Sequence, residues 1–290
     1  MLPRATADAA SIQDAQRLAR ALGISLREAR LEVDLLLMRA LGVDRARLIA
    51  HPELAAQALG HAQYRHALAR RSAGEPMAYI LGEREFYGLR FLVTPAVLIP
   101  RPETELLVDL ALERIAPEAA DQVLEIGTGS GCIAVTLARL RPQARVVATD
   151  ISEPALAVAR ANAAPHGTEH IEFRLGDCYA PSAGEQFDLI VSNPPYVATG
   201  DPHLAQGDLR FEPERALTSG TDGLALLRRI VGEAPPRLRQ GGWLLVEHGH
   251  DQADRVRELL CGAGFATLLG VRDLAGIPRV AGGRLKRAVD

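Results

Sequence analysis

The sequence predicts an α/β protein, a mainly parallel sheet with helices on both faces, preceded by a small helical bundle. Three observations carry this. Beyond residue 101 the apolar runs QVLEIG, RVVATD, IEFRLGD, FDLIVSN and WLLVEHG alternate with stretches of helical spacing. Such alternation marks βαβ units, whose crossovers place helices over both faces of a sheet. Up to about residue 73, by contrast, Leu18, Leu22, Leu31, Val33, Leu35, Leu36 and Leu37 recur near the 3.6-residue period with no strand signal. Finally, 290 residues with 48% hydrophobic side chains suffice for a large core and a smaller one.

The elements follow in order. Ser25 with Glu28 forms a capping box and Gly23 and Gly42 mark helix ends, which places helices near 11–22, 25–41, 44–50 and 53–72. The basic pair Arg70-Arg71 at the last helix end reads as a complement to the helix dipole. The segment SAGEPMAYILGEREFYGLRFLVTPAVLIPRPETE then changes texture, with Gly74, Gly82, Gly88 and four prolines. It predicts a linker over 74–100 carrying a hairpin near 84–94. The main domain, 101–290, opens with a helix from Glu103 to about 114. Further helices are expected from 131, 153, about 222 and 251, and ATLLGVRD and RVAGGRL finish the sheet at an edge.

Composition narrows the function classes. A net charge of -3 and a pI near 6.3 give no sign of a chain built to coat nucleic acid or an anionic membrane. The segment MLPRATADAASIQDA lacks a basic stretch followed by an apolar one, and no run approaches roughly eighteen apolar residues, so a cytoplasmic protein is expected. Cys132, Cys178 and Cys261 are far apart and odd in number, which argues for reduced thiols over a disulfide framework or a cysteine zinc site. Glu247, His248 and His250 offer two imidazoles without a third ligand at diagnostic spacing, so no metal is expected.

In an open parallel sheet ligands sit beyond the carboxyl ends of the strands, which directs attention to the loop Glu125-Ile126-Gly127-Thr128-Gly129-Ser130-Gly131. A dinucleotide fingerprint would need glycine at the sixth position counted from Gly127, where Cys132 stands, and no Lys-Ser or Lys-Thr follows to make a P-loop. Asp150, 23 residues after Gly127, ends the second strand, where it can accept both hydroxyls of a ribose. Asp177 ends the third and can accept from an adenine amino group. Each acid alone has a plain structural explanation: Glu125 can bind backbone amides, Asp150 can cap the helix near Glu153, and Asp177 can sit in a turn. Three in order on successive strand ends, flanking the glycine loop, favour a nucleoside without phosphate, joined to a charged amino-acid tail.

The fourth strand ends in Asn193-Pro194-Pro195-Tyr196. An amide nitrogen is a poor nucleophile because its lone pair is delocalised into the carbonyl. Two acceptors placed out of the amide plane, each taking one N–H, free that lone pair. The Asn193 side-chain oxygen and the Pro194 carbonyl can be those acceptors, and the two prolines hold the carbonyl direction rigidly. Tyr196 then supplies a flat wall for a planar group.

These residues resemble class I S-adenosylmethionine-dependent methyltransferases with an (Asn/Asp)-Pro-Pro-(Tyr/Phe) motif, and within them the HemK-like release factor glutamine N5-methyltransferases. The resemblance covers nearly the whole chain: the helical N-terminus, FYGLRFLVTPAVLIPRPETE, EIGTGSG, Asp150, SNPPY, DPHLAQGDLRFEPERAL and LLVEHG. It implies a Rossmann-like fold with a seven-stranded sheet, and methylation of the glutamine side-chain nitrogen in the Gly-Gly-Gln motif of release factors. The helical domain would recognise that protein substrate. Glu125, Gly127, Thr128, Gly129, Ser130, Gly131, Asp150, Asp177, Cys178 and Asn193 would hold S-adenosyl-L-methionine, and Arg101 and Glu105 of the RPxTE segment would border its pocket. Asn193, Pro194, Pro195 and Tyr196 would hold the glutamine and perform the transfer. One departure is visible. Relatives often carry an aromatic residue after the third-strand acid to stack on adenine, where this chain has Cys178, with Tyr179 as the substitute. The competing reading is an adenine-N6 DNA or RNA methyltransferase, whose amino group needs the same two acceptors, although the near-neutral charge and scarcity of lysine disfavour it. A non-catalytic nucleoside-binding scaffold would leave Asn193-Pro194-Pro195-Tyr196 unexplained. No nucleic-acid or membrane partner is expected, and a monomer is.

Overall fold

The computed structural model describes residues 4–286. The chain forms two units, one comprising the segment up to Gly82 with Ala205–Phe211, the other Glu83–Leu204 with the chain from Glu212 onward.

The first unit is helical: α1 Arg4–Leu22, α2 Leu26–Leu41, α3 Arg45–Ala50, α4 Glu53–Leu59, α5 Ala62–Ser72 and α6 Met77–Leu81. Ser25 and Glu28 make the reciprocal capping box at the start of α2, and Gly42 ends that helix in the left-handed region at φ 65°. The single helix expected over 53–72 is broken. Gly60, a weak helix former, ends α4, and His61 turns extended (φ -71°, ψ 132°) before α5 begins. Leu18, Val33, Leu36, Leu37 and Tyr64 bury the apolar stripe of these helices. Met77, Ile80 and Leu81 of α6 pack on the same cluster, which is why the unit runs to Gly82 and not to residue 73. Arg71 does more than complement a dipole. Its side chain is 9% exposed, and Nε and Nη2 donate to Glu32 at 2.8 and 3.0 Å while Nη1 donates to the Glu75 carbonyl and to Asp208.

The second unit begins with a hairpin, β1 Glu83–Phe86 and β2 Leu89–Leu92, paired antiparallel about Tyr87-Gly88. Both turn residues have positive φ (55° and 72°), as a two-residue hairpin of this twist requires. Tyr87 tolerates it because its N–H donates to Glu105 and its hydroxyl to Asp109. A short 3₁₀ turn, 102–104, leads into α7 Glu105–Leu112. The alternating part follows: β3 Gln122–Ile126, α8 Cys132–Leu140, β4 Arg145–Asp150, α9 Glu153–Ala163, β5 Glu172–Leu175, β6 Phe187–Ser192, α10 Ala225–Glu233, β7 Leu238–Glu247, α11 Ala253–Gly262, β8 Phe265–Arg272 and β9 Pro278–Leu285.

The seven strands run in the order β5-β4-β3-β6-β7-β9-β8. All neighbours from β5 to β7 are parallel, and β9 inserts antiparallel between β7 and β8. Side chains alternate between two cores: Val123, Val191 and Leu245 join Leu107 of α7 and Leu137 of α8 on one face, while Leu124, Ile190 and Leu244 join Ile230 of α10 and Leu260 of α11 on the other. Burying one such leucine contributes roughly 1.5–3 kcal/mol, and burial on both faces is what gives these strands their apolar runs. The chain moves from β3 to one side through β4 and β5, then crosses to the other side with β6. The loops after β3 and β6 therefore diverge at a topological switch point and leave a crevice between them.

Candidate active site

That crevice is a cleft of about 980 Å³, its mouth included, lined by the glycine loop, the ends of β4 to β6, the segment before α7, and Arg215 and Ala216. Glu125 lies at its floor, almost fully buried. Its Oε2 accepts from the Thr128 hydroxyl at 2.6 Å and from Ala134 N–H at 3.0 Å, so one carboxylate ties the loop to the first turn of α8. Burial pushes the Glu125 carboxyl up to about 8, against the opposing pull of those two donors. Thr149 supplies a second tie, its carbonyl accepting from Gly127 and Thr128 N–H.

Gly127, Gly129 and Gly131 all sit in the left-handed region, at φ 75°, 55° and 82°. A Cβ on Gly127 or Gly129 would meet no protein atom within 4 Å, whereas one on Gly131 would lie 3.1 Å from Ala159 Cβ. The first two glycines thus border open space, and the third lets the loop press against α9.

Asp150 accepts from Gly129 N–H through Oδ2 and from Ser152 N–H through Oδ1, both at 2.9 Å. The cap on α9 is Ser152, not Asp150. Each Asp150 oxygen retains acceptor capacity toward the cleft. Burial raises the Asp150 carboxyl above its ordinary value, the loop N–H groups and the positive charge of Arg215 pulling the other way. Asp177 and Cys178 also line the cleft. Asp177 is exposed and paired with Arg229 at 3.0 Å. Cys178 is buried with φ 51°, and desolvation lifts its thiol to about 11. Tyr179 does not take the stacking role: it lies in the core behind the cleft, its hydroxyl donating to the Ile230 carbonyl at 2.8 Å.

Asn193 and Pro195 face the cleft, whereas Pro194 is buried and Tyr196 is not among the lining residues. The Asn193 side-chain N–H donates to Thr104 Oγ1 at 3.0 Å, and among the described residues its Oδ1 has no donor. Tyr196 packs on the core cluster beneath α10 and α11 and points its hydroxyl at Glu247 Oε1, 3.3 Å away, so it is a foot for the loop more than an open wall.

Arg101 lines the cleft, paired with the buried Glu212, whose other oxygen accepts Ile99 N–H at 3.0 Å. Glu105 is not on the cleft; it holds the hairpin turn through Tyr87. Thr104, Glu212 and Arg215 escape residue-by-residue reading, since nothing local distinguishes them from neighbouring polar side chains. The signal lay in their segments, RPETE and FEPERAL. Among the described residues no group of three or more His, Cys, Asp or Glu side chains is placed to hold a metal ion, and no helix is long and apolar enough to cross a membrane.

A parallel sheet with β9 inserted antiparallel, a glycine loop closed by buried acids and an Asn-Pro-Pro-Tyr corner across the switch point define a class I methyltransferase. Comparison with known proteins agrees. The family description "Methyltransferase small domain" matches residues 103–220, and "PrmC N-terminal domain" matches 12–82. A methyltransferase structure from Pyrococcus furiosus shares the fold, with a TM-score of 0.53 at 18% identity over 77% of this chain and 99% of its own. The release factor glutamine methyltransferase of Bordetella pertussis (strain Tohama I) is 54% identical over 257 residues, 88% of this chain and 95% of that protein. Its counterpart from Xylella fastidiosa (strain 9a5c) is 49% identical over 255 residues, 88% and 93% respectively. The chain belongs to the release factor glutamine methyltransferase family.

Proposed function

We propose that this protein methylates the side-chain nitrogen of the glutamine in the Gly-Gly-Gln motif of peptide chain release factors, with S-adenosyl-L-methionine as donor. The observation that carries the chemistry is the Asn193 amide. Its nitrogen is engaged by Thr104, which leaves Oδ1 to accept an N–H at the mouth of the cleft.

The cleft's donors and acceptors suit the cofactor. Asp150 offers two carboxylate oxygens to a ribose, Arg101 and Arg215 offer positive charge for a carboxylate, and the space beside Gly127 and Gly129 admits a ligand that a Cβ would obstruct. When bound, S-adenosyl-L-methionine supplies an electrophilic methyl group on a sulfonium. Asn193 Oδ1 and the Pro194 carbonyl each accept one N–H of the substrate amide, which weakens its conjugation and turns its lone pair toward the cleft. Pro194 and Pro195 fix the carbonyl direction and present no N–H of their own. The residues thus contribute placement and electrostatics. We place the enzyme in the cytoplasm, as a monomer whose partner is the release factor itself, recognised by the helical unit, with no nucleic acid or membrane needed.

Mass spectrometry of a release-factor tryptic peptide, with and without the enzyme and S-adenosyl-L-methionine, tests the reading. A gain of one methyl on the glutamine is expected. Methyl transfer to adenine in an oligonucleotide, with none to release factor, would overturn it.

A further inference from the structure

Glu247 is the last residue of β7, next to β6, and the reaction just described gives it no part. It is almost completely buried, yet it is a carboxyl group, and such groups are seldom fully buried unless paired. Its Oε1 accepts from the Tyr196 hydroxyl at 3.3 Å. Its Oε2 is buried with no hydrogen-bond partner among the described residues. The Thr104 hydroxyl lies beside the same carboxyl and favours its ionised form. Thr104 is itself buried, and its oxygen takes the Asn193 side-chain N–H at 3.0 Å. One buried carboxyl therefore stands behind both ends of the Asn193-Pro194-Pro195-Tyr196 corner, through a threonine at one end and a phenol at the other.

The chemistry of this arrangement is directional. A threonine hydroxyl has one proton. If that proton is drawn toward a carboxylate, the oxygen is left as an acceptor only, and only the NH₂ side of the Asn193 amide can face it. Oδ1 is then obliged to face the cleft. An Asn amide flipped by 180° would present two donors to a substrate that also brings two donors, and activation would be lost.

We infer that Glu247 is a positioning residue for methyl transfer, acting through Thr104 to fix the Asn193 amide orientation and through Tyr196 to hold the far end of the corner. This rests on the reading of Asn193 as an acceptor for the substrate amide. The ionised carboxylate is the competent form, since it accepts from the Tyr196 hydroxyl and its charge draws the Thr104 proton. Burial raises the Glu247 carboxyl to about 7, so the ionised form is lost as pH falls through neutrality. The other groups acting on it are Thr104, Tyr196 and the positive charge of Arg279, which favour ionisation, and Glu103, which opposes it.

The test is a kcat–pH profile of full-length wild type, Thr104→Val, Thr104→Ser and Glu247→Gln on release factor. Wild type should lose kcat below about pH 7. Thr104→Val should lower kcat by roughly 10–100-fold with little change in KM for S-adenosyl-L-methionine, the scale expected when a reacting group is misplaced. Thr104→Ser, which keeps the hydroxyl, should recover most of that loss. Glu247→Gln should lower kcat and flatten the acidic limb. Far-ultraviolet circular dichroism identifies any variant that fails to fold, and Thr104→Val alone then decides. Equal kcat for Thr104→Val and wild type, or an acidic limb unchanged in Glu247→Gln, overturns the inference. Failure of wild type to methylate release factor at any pH instead overturns the proposed function, so the two outcomes are separable.

Discussion

Gly127→Ala and Gly131→Ala form a matched pair that separates strain from obstruction. Both residues sit at nearly the same left-handed φ, 75° and 82°, so a side chain at either costs about 1–2 kcal/mol of backbone strain. They differ in what the new methyl group meets. At Gly131 it would lie 3.1 Å from Ala159 Cβ and 3.2 Å from Ala159 Cα, inside the packing of α9 against the loop. Overpacking of that kind adds about 1–3 kcal/mol. At Gly127 it meets no protein atom within 4 Å and projects beside the cleft. Gly131→Ala is therefore expected to lose about 2–5 kcal/mol, and Gly127→Ala about 1–2. At roughly 2–4 °C per kcal/mol for a domain of this size, Tm should fall by about 4–20 °C in the first and about 2–8 °C in the second. Binding should sort the other way. Calorimetric titration of S-adenosyl-L-methionine at a temperature where both variants are folded should show the larger affinity loss in Gly127→Ala. Equal Tm losses would refute the packing argument, and wild-type affinity in Gly127→Ala would refute the placement of the cofactor beside the loop.

Three further outcomes are expected. Asn193→Ala should bind S-adenosyl-L-methionine normally but lose about 10²–10³ in kcat, the scale for removing one preorganised electrostatic partner; turnover at the wild-type rate would dismiss the amide-activation account. Arg71→Ala should destabilise the helical unit, because it leaves the partly buried Glu32 carboxylate without its guanidinium partner. Breaking a buried pair costs roughly 3–5 kcal/mol, and the 19% exposure left to the Glu32 side chain reduces this to about 2 kcal/mol, readable by chemical denaturation. Glu125 supplies a pH dependence of stability. Its folded carboxyl titrates near 8 against an ordinary 4.5, so the folded state holds the proton more tightly. That stabilisation is complete below about 4.5 and is lost as pH rises toward 8. Denaturation midpoints should fall across this window in wild type, and Glu125→Gln should flatten the slope.

The strand and helix rhythm of the second unit was legible because two-sided burial writes itself into short continuous apolar runs such as Leu189 to Val191. The glycine loop, Asp150 and Asn193 were legible because strand ends are where an open sheet presents ligands, so position and residue type reinforced each other. The break at Gly60, by contrast, is one weak residue inside an otherwise helical pattern, and helical sequences often tolerate one. Glu105 and Tyr179 were misplaced for a different reason. Both adjoin true cleft residues in sequence, but a carboxylate at a helix start and a ring after a strand can each turn toward either side, and only packing decides which.

Glu247 shows the deeper limit. Its environment is assembled from Thr104 before α7, Asn193 and Tyr196 after β6, and Arg279 on β9, three places that no local spacing connects. On sequence alone Glu247 beside His248 invites a metal-ligand reading. In the fold, His248 turns its Nδ1 to the Gly249 carbonyl at 2.8 Å, while the Glu247 carboxyl turns toward the Asn-Pro-Pro-Tyr corner. The sheet order explains why these segments converge: β6 and β7 are parallel neighbours, so the corner that ends one must lie alongside the end of the other. A carboxyl group at the end of β7 is thereby held behind the Asn-Pro-Pro-Tyr corner and off the cleft lining. In such a place a titrating group acts on catalysis through the orientation of its neighbours.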